Sequence, residues 1–306
     1  MAARLAAAEA LLADPEQRGD AAALFESVLA DRPDDRAAFD GLARLWSFER
    51  DGDQLCRLLT RQARVTQGGE ARAELHLRAA RVAYAWLADP DRAATAYEAA
   101  LAEPDGGITA AAVALRALTE LRTRPVDLDR MRALVERRLE RSGGDDERAG
   151  LLALRGELWR ARLGHIENAR ADFDAALALA PAEARAHFGT AALAADRGEA
   201  GVAVEHFASA LAGRPRLTHD EAARAFEGLR RTLDKAGRAD ALAAICGQVL
   251  DVHPATRPVL EALDAALTAS GRFAELLARY EAATLSDPDP ALAARRDAVA
   301  RRAERG

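Results

Sequence analysis

A histidine and three carboxylates lie close together in the stretch GHIENARADFDAALALAP, residues 164–181. These side chains, His165, Glu167, Asp172 and Asp174, are of the types that transfer protons in general acid–base catalysis. Whether they have a catalytic role can be tested by comparing this stretch with a second copy of it in the same chain.

The surrounding sequence recurs 34 residues further along, as GEAGVAVEHFASALAGRP at residues 198–215. The second copy has Glu199 in place of His165 and His206 in place of Asp172. The positions that keep their residue type are Gly164/Gly198, Ala169/Ala203, Phe173/Phe207, Ala176/Ala210 and Pro181/Pro215. Because the ionisable residues change while the small and aromatic ones stay, the recurring feature is a packing face and not a catalytic site.

No other motif supplies a catalytic centre. The sequence has no GxxxxGK[ST] phosphate loop, no HExxH helix, and no grouping of Ser, Cys and His that is typical of a nucleophilic enzyme. The paired carboxylates Asp145 and Asp146 stand at a predicted helix start, where carboxylates cap free N–H groups and complement the helix dipole. We therefore predict that the protein is not an enzyme and has no catalytic residue.

The residue types that bind metals are dispersed along the chain. His187 and His206 fall on two adjacent predicted helices and could approach each other, but a metal site needs a third ligand, and none is evident. Cys56 and Cys246 are far apart, outside any CxxC motif, and their positions favour buried thiols. The histidines are His76, His165, His187, His206, His219 and His253. We predict no metal and no cofactor.

The elements that carry these residues follow from the repeat itself. Ala169, Phe173 and Ala176 place a small residue, a ring and a second small residue on one face of a helix. Glycines such as Gly237 and Gly271, again 34 residues apart, are suited to ending a first helix, and a proline ends the second helix. Each repeat is therefore predicted to be an antiparallel helix pair. The predicted packing residues are Ala21, Phe25, Ala93, Tyr97, Ala100, Ala169, Phe173, Ala176, Ala203, Phe207, Ala210 and Tyr280.

The 34-residue period and the Ala…Phe/Tyr…Ala…Pro pattern of the second helix resemble the tetratricopeptide repeat (TPR). In the first helix, Gly156 and Trp159 match the family's glycine and the aromatic residue that follows it. Ala191 and Ala194 stand at these two positions in the next unit, so the first-helix pattern is weaker than that of the second helix.

The resemblance implies an all-α, right-handed solenoid of about eight antiparallel helix pairs, forming a single superhelical domain over 1–306. Two units are divergent, since Leu59 and Val135 take the position of the ring. A last helix over 289–304 is expected to cap the array. The predicted units are 2–35, 36–69, 74–107, 112–145, 149–183, 184–217, 223–256 and 257–290.

In TPR proteins the exposed surface of the first helices usually holds a peptide or a helix of a partner, and the resemblance implies the same use here. Arginine can bind carboxylates through two parallel hydrogen bonds, which favours a polar or acidic partner segment. The other interpretation is a solvated face with ion pairs inside each helix, such as Arg224–Glu227, Glu227–Arg231 and Arg231–Asp234. The predicted groove residues are Arg44, Arg78, Arg116, Glu120, Arg160, Arg185, Arg224 and Arg231.

One known use of TPR domains is excluded by composition. Some of them bind the C-terminal carboxylate of chaperones through paired asparagine and lysine residues. The sequence has one asparagine, Asn168, and one lysine, Lys235. A chaperone-tail adaptor of that kind is therefore not expected.

Charge and hydropathy narrow the class of partner. With 43 basic and 49 acidic residues, the net charge of −6 argues against a nucleic-acid binder and leaves a protein or peptide partner. No run of 18 apolar residues and no signal peptide is present, which predicts no membrane span and a cytoplasmic location. The dominance of Arg over Lys is typical of a GC-rich, bacterial genome. We predict a non-enzymatic interaction scaffold or adaptor; the alternative is a regulatory or sensor TPR segment of a larger signalling or catalytic protein.

Overall fold

Helices make up most of the chain in the computed structural model, which describes residues 2–122, 124–238 and 241–304. Within these ranges the helices follow one another through short turns, and no residue lies in a β-strand. The chain divides into two compact units, Met1–Glu147 and Arg148–Gly306. The prediction of an all-α chain built from packed helix pairs is confirmed.

In the first unit each helix packs against the next one along the chain. A short 3₁₀ turn, Pro15–Gln17, precedes the second helix. The helices are α1 (Ala2–Leu11), α2 (Arg18–Asp31), α3 (Arg36–Phe48), α4 (Gly52–Val65), α5 (Gly69–Ala85), α6 (Pro90–Ala102), α7 (Ile108–Leu121) and α8 (Pro125–Arg141).

The second unit continues the alternation of first and second helices, and the boundary between the units falls within α9. The last helix, predicted over 289–304, is present over Pro290–Ala303 and packs on the helix before it. The helices are α9 (Asp145–Leu158), α10 (Ile166–Leu179), α11 (Ala184–Asp196), α12 (Ala200–Ala212), α13 (His219–Lys235), α14 (Leu242–Val252), α15 (Arg257–Ala269), α16 (Phe273–Ser286) and α17 (Pro290–Ala303).

The turn inside a helix pair needs a left-handed residue, as the repeated glycines predict. The φ angles there are 70° at Gly164, 78° at Gly198, 65° at Gly237 and 71° at Gly271. Two earlier pairs make this turn without glycine, at Arg50 (φ 58°) and Ala88 (φ 51°). A left-handed conformation costs an L-residue about 1–2 kcal/mol, so these two turns are held in place by the packing of the helices around them.

The residues predicted to pack the helix pairs together are all buried. Phe173 shows how they do so, because its ring lies against two first helices at once. A Cβ added at Gly156 would lie 2.5 Å from this ring, and one added at Gly189 would lie 2.1 Å from it. The same contact joins Gly41 to Phe25 and Gly228 to Phe207. Rings set against glycines therefore fix the spacing of neighbouring helices, and the TPR-like character of the helix pairs is confirmed.

One helix pair contains an extra residue, because the unit predicted over 149–183 is one residue longer than the period. The chain forms a π-helical turn at Trp159–Leu163, between α9 and the left-handed Gly164. A π turn accommodates one additional residue without ending the helix. The extra residue is therefore accommodated in the turn that carries Arg160, before α10 begins.

Candidate functional site

A groove lies on the first-helix side of the second unit, between α11 and α13. It encloses a cavity of about 810 Å³. We call it the first-helix groove and define it by six of its lining residues, Arg160, Phe188, Asp196, Arg224, Arg231 and Lys235. The volume is within the range of pockets that hold drug-sized ligands, so the groove can hold a short segment of an extended chain.

Most of the positive charge in the groove is not neutralised by the protein. Arg231 and Lys235 are exposed and make no hydrogen bond or ion pair with any residue that the structure describes. The Arg224 guanidinium lies 5.7 Å from the centre of the Phe188 ring, a cation–π contact, and its Nε donates to the carbonyl oxygen of Asp220 at 3.4 Å. The first-helix groove thus combines an aromatic surface with basic side chains that are available to a partner.

The carboxylate of Glu227, at the edge of this groove, is already bound within its own helix. Arg230 donates to both of its oxygens, at 3.0 and 2.8 Å, and this hydrogen bonding lowers the pKa of Glu227. Arg230 also donates to Asp234 at 2.9 Å. Glu227 and Asp234 therefore pair with Arg230 and not, as predicted, with Arg224 and Arg231, and Arg231 lines the groove. Asp196 is the acidic groove residue that the structure leaves without a hydrogen bond among the described residues.

At the π-helical end of the groove, Arg160 donates to Glu157 at 3.1 Å. The Nε of Arg160 and the Oε1 of Glu157 are buried without a hydrogen-bond partner among the described residues. Buried polar atoms are rarely left unpaired in folded proteins. Arg160 and Glu157 thus each keep one buried polar atom without a hydrogen bond beside this end of the groove.

Arg185 was predicted to belong to the groove, but its side chain is buried. Its guanidinium donates to both oxygens of Glu221, at 3.0 and 3.2 Å, and so ties α11 to α13. Burial by itself would raise the pKa of Glu221, but the charge of Arg185 and the hydrogen bonds from Arg185 and Thr218 outweigh it and lower that pKa. We therefore assign Arg185 to the wall of the groove and do not include it among the residues available to a partner.

The remaining predicted groove residues lie in the first unit, where most of them are paired. Arg44 donates to Glu9 at 2.5 Å, and Arg116 lies 3.5 Å from Glu120 on the same helix. Arg78 is exposed and has no hydrogen bond or ion pair with a described residue. The structure does not bring these residues together in one of the cavities described here, so their part in binding a partner stays a prediction.

Three groove residues, Phe188, Asp196 and Lys235, are absent from the predicted set. Phe188 stands eight residues before Asp196 on α11, a spacing that places both on one helix face. That signal was present in the sequence.

His187 and His206 meet, as their positions on adjacent helices suggested. Their Nδ1 atoms are 2.9 Å apart, and His187 Nε2 lies 2.9 Å from the carbonyl oxygen of Pro181. The carbonyl can only accept, so Nε2 of a neutral His187 carries the proton and its Nδ1 accepts from His206. Burial lowers the pKa of His187, and the neighbouring His206 lowers it further.

We expect the stability of the second unit to fall as the pH is lowered from 7 to 5. Because the pKa of His187 is lower in the folded than in the unfolded state, the unfolded chain takes up a proton below its ordinary value of 6.5 that the folded chain does not. Thermal midpoints measured across this range for wild type and His187→Gln test the attribution. The variant should show a smaller decrease, and His165→Gln, which changes an exposed histidine, should keep the wild-type decrease.

The two cysteines are buried, as predicted. Burial raises the pKa of Cys246 to about 11 and also raises that of Cys56, so both stay as thiols near neutral pH. In the part of the chain that the structure describes, no group of three or more His, Cys, Asp or Glu side chains could hold a metal ion. No described helix is both long enough and apolar enough to span a membrane.

Comparison with known proteins finds similarity at the level of structure. No model of a protein family and no curated protein matches the sequence. The APC/C hetero-tetramer Cut9–Hcn1 matches with 13% identity and a TM-score of 0.44, over 94% of this chain and 52% of the other. The human IFIT1 dimer with m7Gppp-AAAA matches with 16% identity and a TM-score of 0.37, over 94% and 72%.

A third similar structure is the C-terminal part of a TPR repeat-containing protein from Cytophaga hutchinsonii, with 12% identity and a TM-score of 0.37, over 94% of this chain and 97% of the other. The present chain spans about half the length of the Cut9–Hcn1 chain that it matches. With TM-scores below 0.5, these similarities carry no information about partners.

Proposed function

We propose that this chain is a non-enzymatic protein-interaction scaffold that holds an extended, acidic segment of a partner protein in the first-helix groove. The observation that carries the proposal is the combination of Arg224, Arg231 and Lys235 around the Phe188 ring. Among the described residues none of these three cations has a hydrogen bond or ion pair to a carboxylate, and guanidinium groups bind carboxylates through paired, charge-assisted hydrogen bonds.

The walls of the groove support binding without a large rearrangement. The buried Arg185–Glu221 pair joins α11 to α13, and the ring of Phe207 lies against Gly228 of α13. A site whose walls are already fixed loses little conformational entropy when a partner binds. The Phe188 ring adds an apolar surface on which the stem of a glutamate or the backbone of the partner can rest.

The experiment measures the binding of a fluorescent ten-residue peptide rich in Asp and Glu by fluorescence polarisation. We expect wild-type protein to bind it and Arg224→Glu with Arg231→Glu to bind at least tenfold more weakly, since two charge-assisted contacts are lost and two repulsive charges gained. A control variant, Arg301→Glu with Arg302→Glu, makes the same change of charge at two exposed positions of α17 and should bind like wild type.

Two results with the peptides contradict the proposal. One is unchanged binding by the groove variant when its far-UV circular dichroism equals that of wild type. The other is equal binding of the amide version of the peptide, with Asn and Gln in place of Asp and Glu, because the groove would then not recognise carboxylates. Tighter binding of a single-stranded oligonucleotide than of the acidic peptide would also overturn the assignment to a protein partner.

A further inference from the structure

A second cavity, of about 460 Å³, lies in the first unit on the side formed by the second helices. Its walls come from α4 and α6, and α5 contributes the floor. We call it the second-helix cavity and define it by Arg57, Arg61, Arg64, Arg92 and His76. It shares no residue with the first-helix groove, which belongs to the other unit.

The side chains that line this cavity are basic, hydroxylic or small and apolar, and none of them is a carboxylate. Arg57, Arg61 and Arg64 follow one another on α4 at spacings of four and three residues, which places them on one helix face. Arg92 faces them from α6. Four arginines and three alanines therefore contribute to the lining of this cavity.

Two of the four arginines are neutralised by carboxylates outside the lining. Arg92 donates to Asp53 at 2.5 Å, and Arg61 donates to Glu26 at 2.7 Å. The pKa of Asp53 is lowered by the hydrogen bond from Arg92, so this pair stays charged near neutral pH.

The other two arginines of the cavity are not hydrogen-bonded to a carboxylate among the described residues. Arg57 and Arg64 are exposed, and neither makes a hydrogen bond or an ion pair with a residue that the structure describes. His76 adds no charge near neutral pH, because burial lowers its pKa. The cavity therefore offers two available guanidinium groups to a ligand.

We propose that the second-helix cavity binds a phosphate monoester dianion. A phosphoryl group carries close to two negative charges at pH 7 together with three strong acceptor oxygens, which matches two available arginines. Each guanidinium can donate two parallel hydrogen bonds to it. A single carboxylate would neutralise only one of the two arginines.

The size of the cavity indicates that the phosphate carries an organic group. Cavities of 300–1,000 Å³ are typical of sites for whole small molecules, and about 460 Å³ exceeds what one phosphate ion needs. Ala79, Ala96 and Ala99 line the part of the cavity that the ester substituent would contact. A phosphorylated side chain of a partner protein and a free small phosphate ester share this chemistry, and the experiment separates them.

The experiment is isothermal titration calorimetry of the whole chain with four probes: the pentapeptide Ala-Ala-pSer-Ala-Ala, its glutamate counterpart, O-phosphoserine and inorganic phosphate. We expect the phosphopeptide to bind at least tenfold more tightly than the glutamate peptide. Tighter binding of the phosphopeptide than of O-phosphoserine identifies a protein-borne phosphate as the ligand; equal affinities identify a free ester.

The matched variants are Arg57→Gln with Arg64→Gln in the cavity and Arg301→Gln with Arg302→Gln as control, which change charge equally at exposed positions. The first pair should weaken phosphopeptide binding at least tenfold, and the second should leave it unchanged, with equal thermal midpoints showing that both are folded. The proposal is overturned if the cavity variant binds like wild type, if the glutamate peptide binds equally well, or if a decamer of single-stranded RNA binds more tightly than the phosphopeptide. None of these results bears on the first-helix groove.

Discussion

Replacing Gly189 with alanine is expected to destabilise the protein by about 1–3 kcal/mol, although alanine is the better helix former. The new Cβ would lie 2.1 Å from the Phe173 ring, well inside van der Waals contact. On its other side the ring is confined by Gly156, where an added Cβ would lie 2.5 Å away. Because the ring has no room to move, α11 must shift away from α10 or the ring must leave its rotamer.

The measurement is the urea midpoint of unfolding, followed by circular dichroism. Gly201→Ala is the matched control: it makes the same substitution in the neighbouring helix α12, at a position with nothing within 4 Å of the added Cβ. We expect the control to be neutral or to raise stability by up to about 1 kcal/mol. If Gly189→Ala behaves like Gly201→Ala, the ring is not the element that sets the spacing between these helices.

A second substitution tests whether the overlap between the added Cβ and the Phe173 ring causes the loss of stability. Phe173→Leu removes the far end of the ring, at a cost of its own, but should suppress the additional cost of Gly189→Ala. The double variant should thus lose less stability than the sum of the two single variants, since residues in contact show non-additive effects. Strict additivity would show that the two positions do not act on each other.

The helix pairs could be predicted from the sequence because their determinants are local. A glycine that must adopt positive φ, such as Gly164, and a ring between two alanines lie within one stretch of the chain and repeat at a fixed period. The contact between Phe173 and Gly189 was not predicted. It joins a second helix to the first helix of the next pair, and the sequence pattern alone does not give the register between neighbouring pairs.

In the candidate site, too, the contacts between neighbouring helix pairs could not be predicted from the sequence pattern. Arg224 and Arg231 line the groove at the positions that the repeat pattern gives them. Arg185 does not, although it stands at the corresponding position of the preceding first helix. Residues 218–222, which lie between the predicted units 184–217 and 223–256, explain the difference. They include Glu221, which stands near the start of α13 within hydrogen-bond distance of Arg185. Helical periodicity predicts on which face of a helix a side chain lies, but it does not predict which residue of another helix will contact that side chain.

The second large loss of stability is expected when a buried carboxylate of the last helix pair, Asp264, is replaced. Asp264 of α15 accepts from the Tyr280 hydroxyl at 2.6 Å and from Arg295 of α17 at 2.7 Å on each oxygen. Burial by itself would raise the pKa of Asp264, but these hydrogen bonds and one from Thr268 outweigh it, so the pKa is lowered. The carboxylate thus joins three helices, α15, α16 and α17.

The repeat explains why a carboxylate is tolerated at this position. Asp264 stands sixteen residues before Tyr280, and Ala191 stands sixteen residues before Phe207. In these two units the phenylalanine is matched by a small residue, and the tyrosine is matched by a carboxylate that accepts from its hydroxyl. Tyr280 stands at the position that Phe207 occupies two units earlier, and a tyrosine hydroxyl usually needs a polar partner when it is buried.

Asp264→Ala is therefore expected to destabilise the last helices by about 3 kcal/mol, because it leaves the buried Tyr280 hydroxyl unpaired and releases Arg295. The figure is below that for a fully buried ion pair, since the Arg295 side chain is 41% exposed and can be hydrated. The measurement is the free energy of unfolding in urea. Asp297→Ala is the control: it removes an exposed carboxylate beside Arg296 on α17 and should change stability by less than about 0.5 kcal/mol.

The double variant Asp264→Ala with Tyr280→Phe decides what the carboxylate contributes. It recreates the Ala191–Phe207 pair of the earlier unit, leaves no hydroxyl to satisfy, and should recover about half of the stability lost in Asp264→Ala. The links to Arg295 and to Thr268 stay broken, and because Thr268 lies on the same helix as Asp264, the remaining loss mainly measures the attachment of α17. If Tyr280→Phe gives no recovery, the hydroxyl is satisfied in another way and the carboxylate acts through Arg295 alone; if Asp264→Ala costs no more than Asp297→Ala, the buried network does not hold these three helices together.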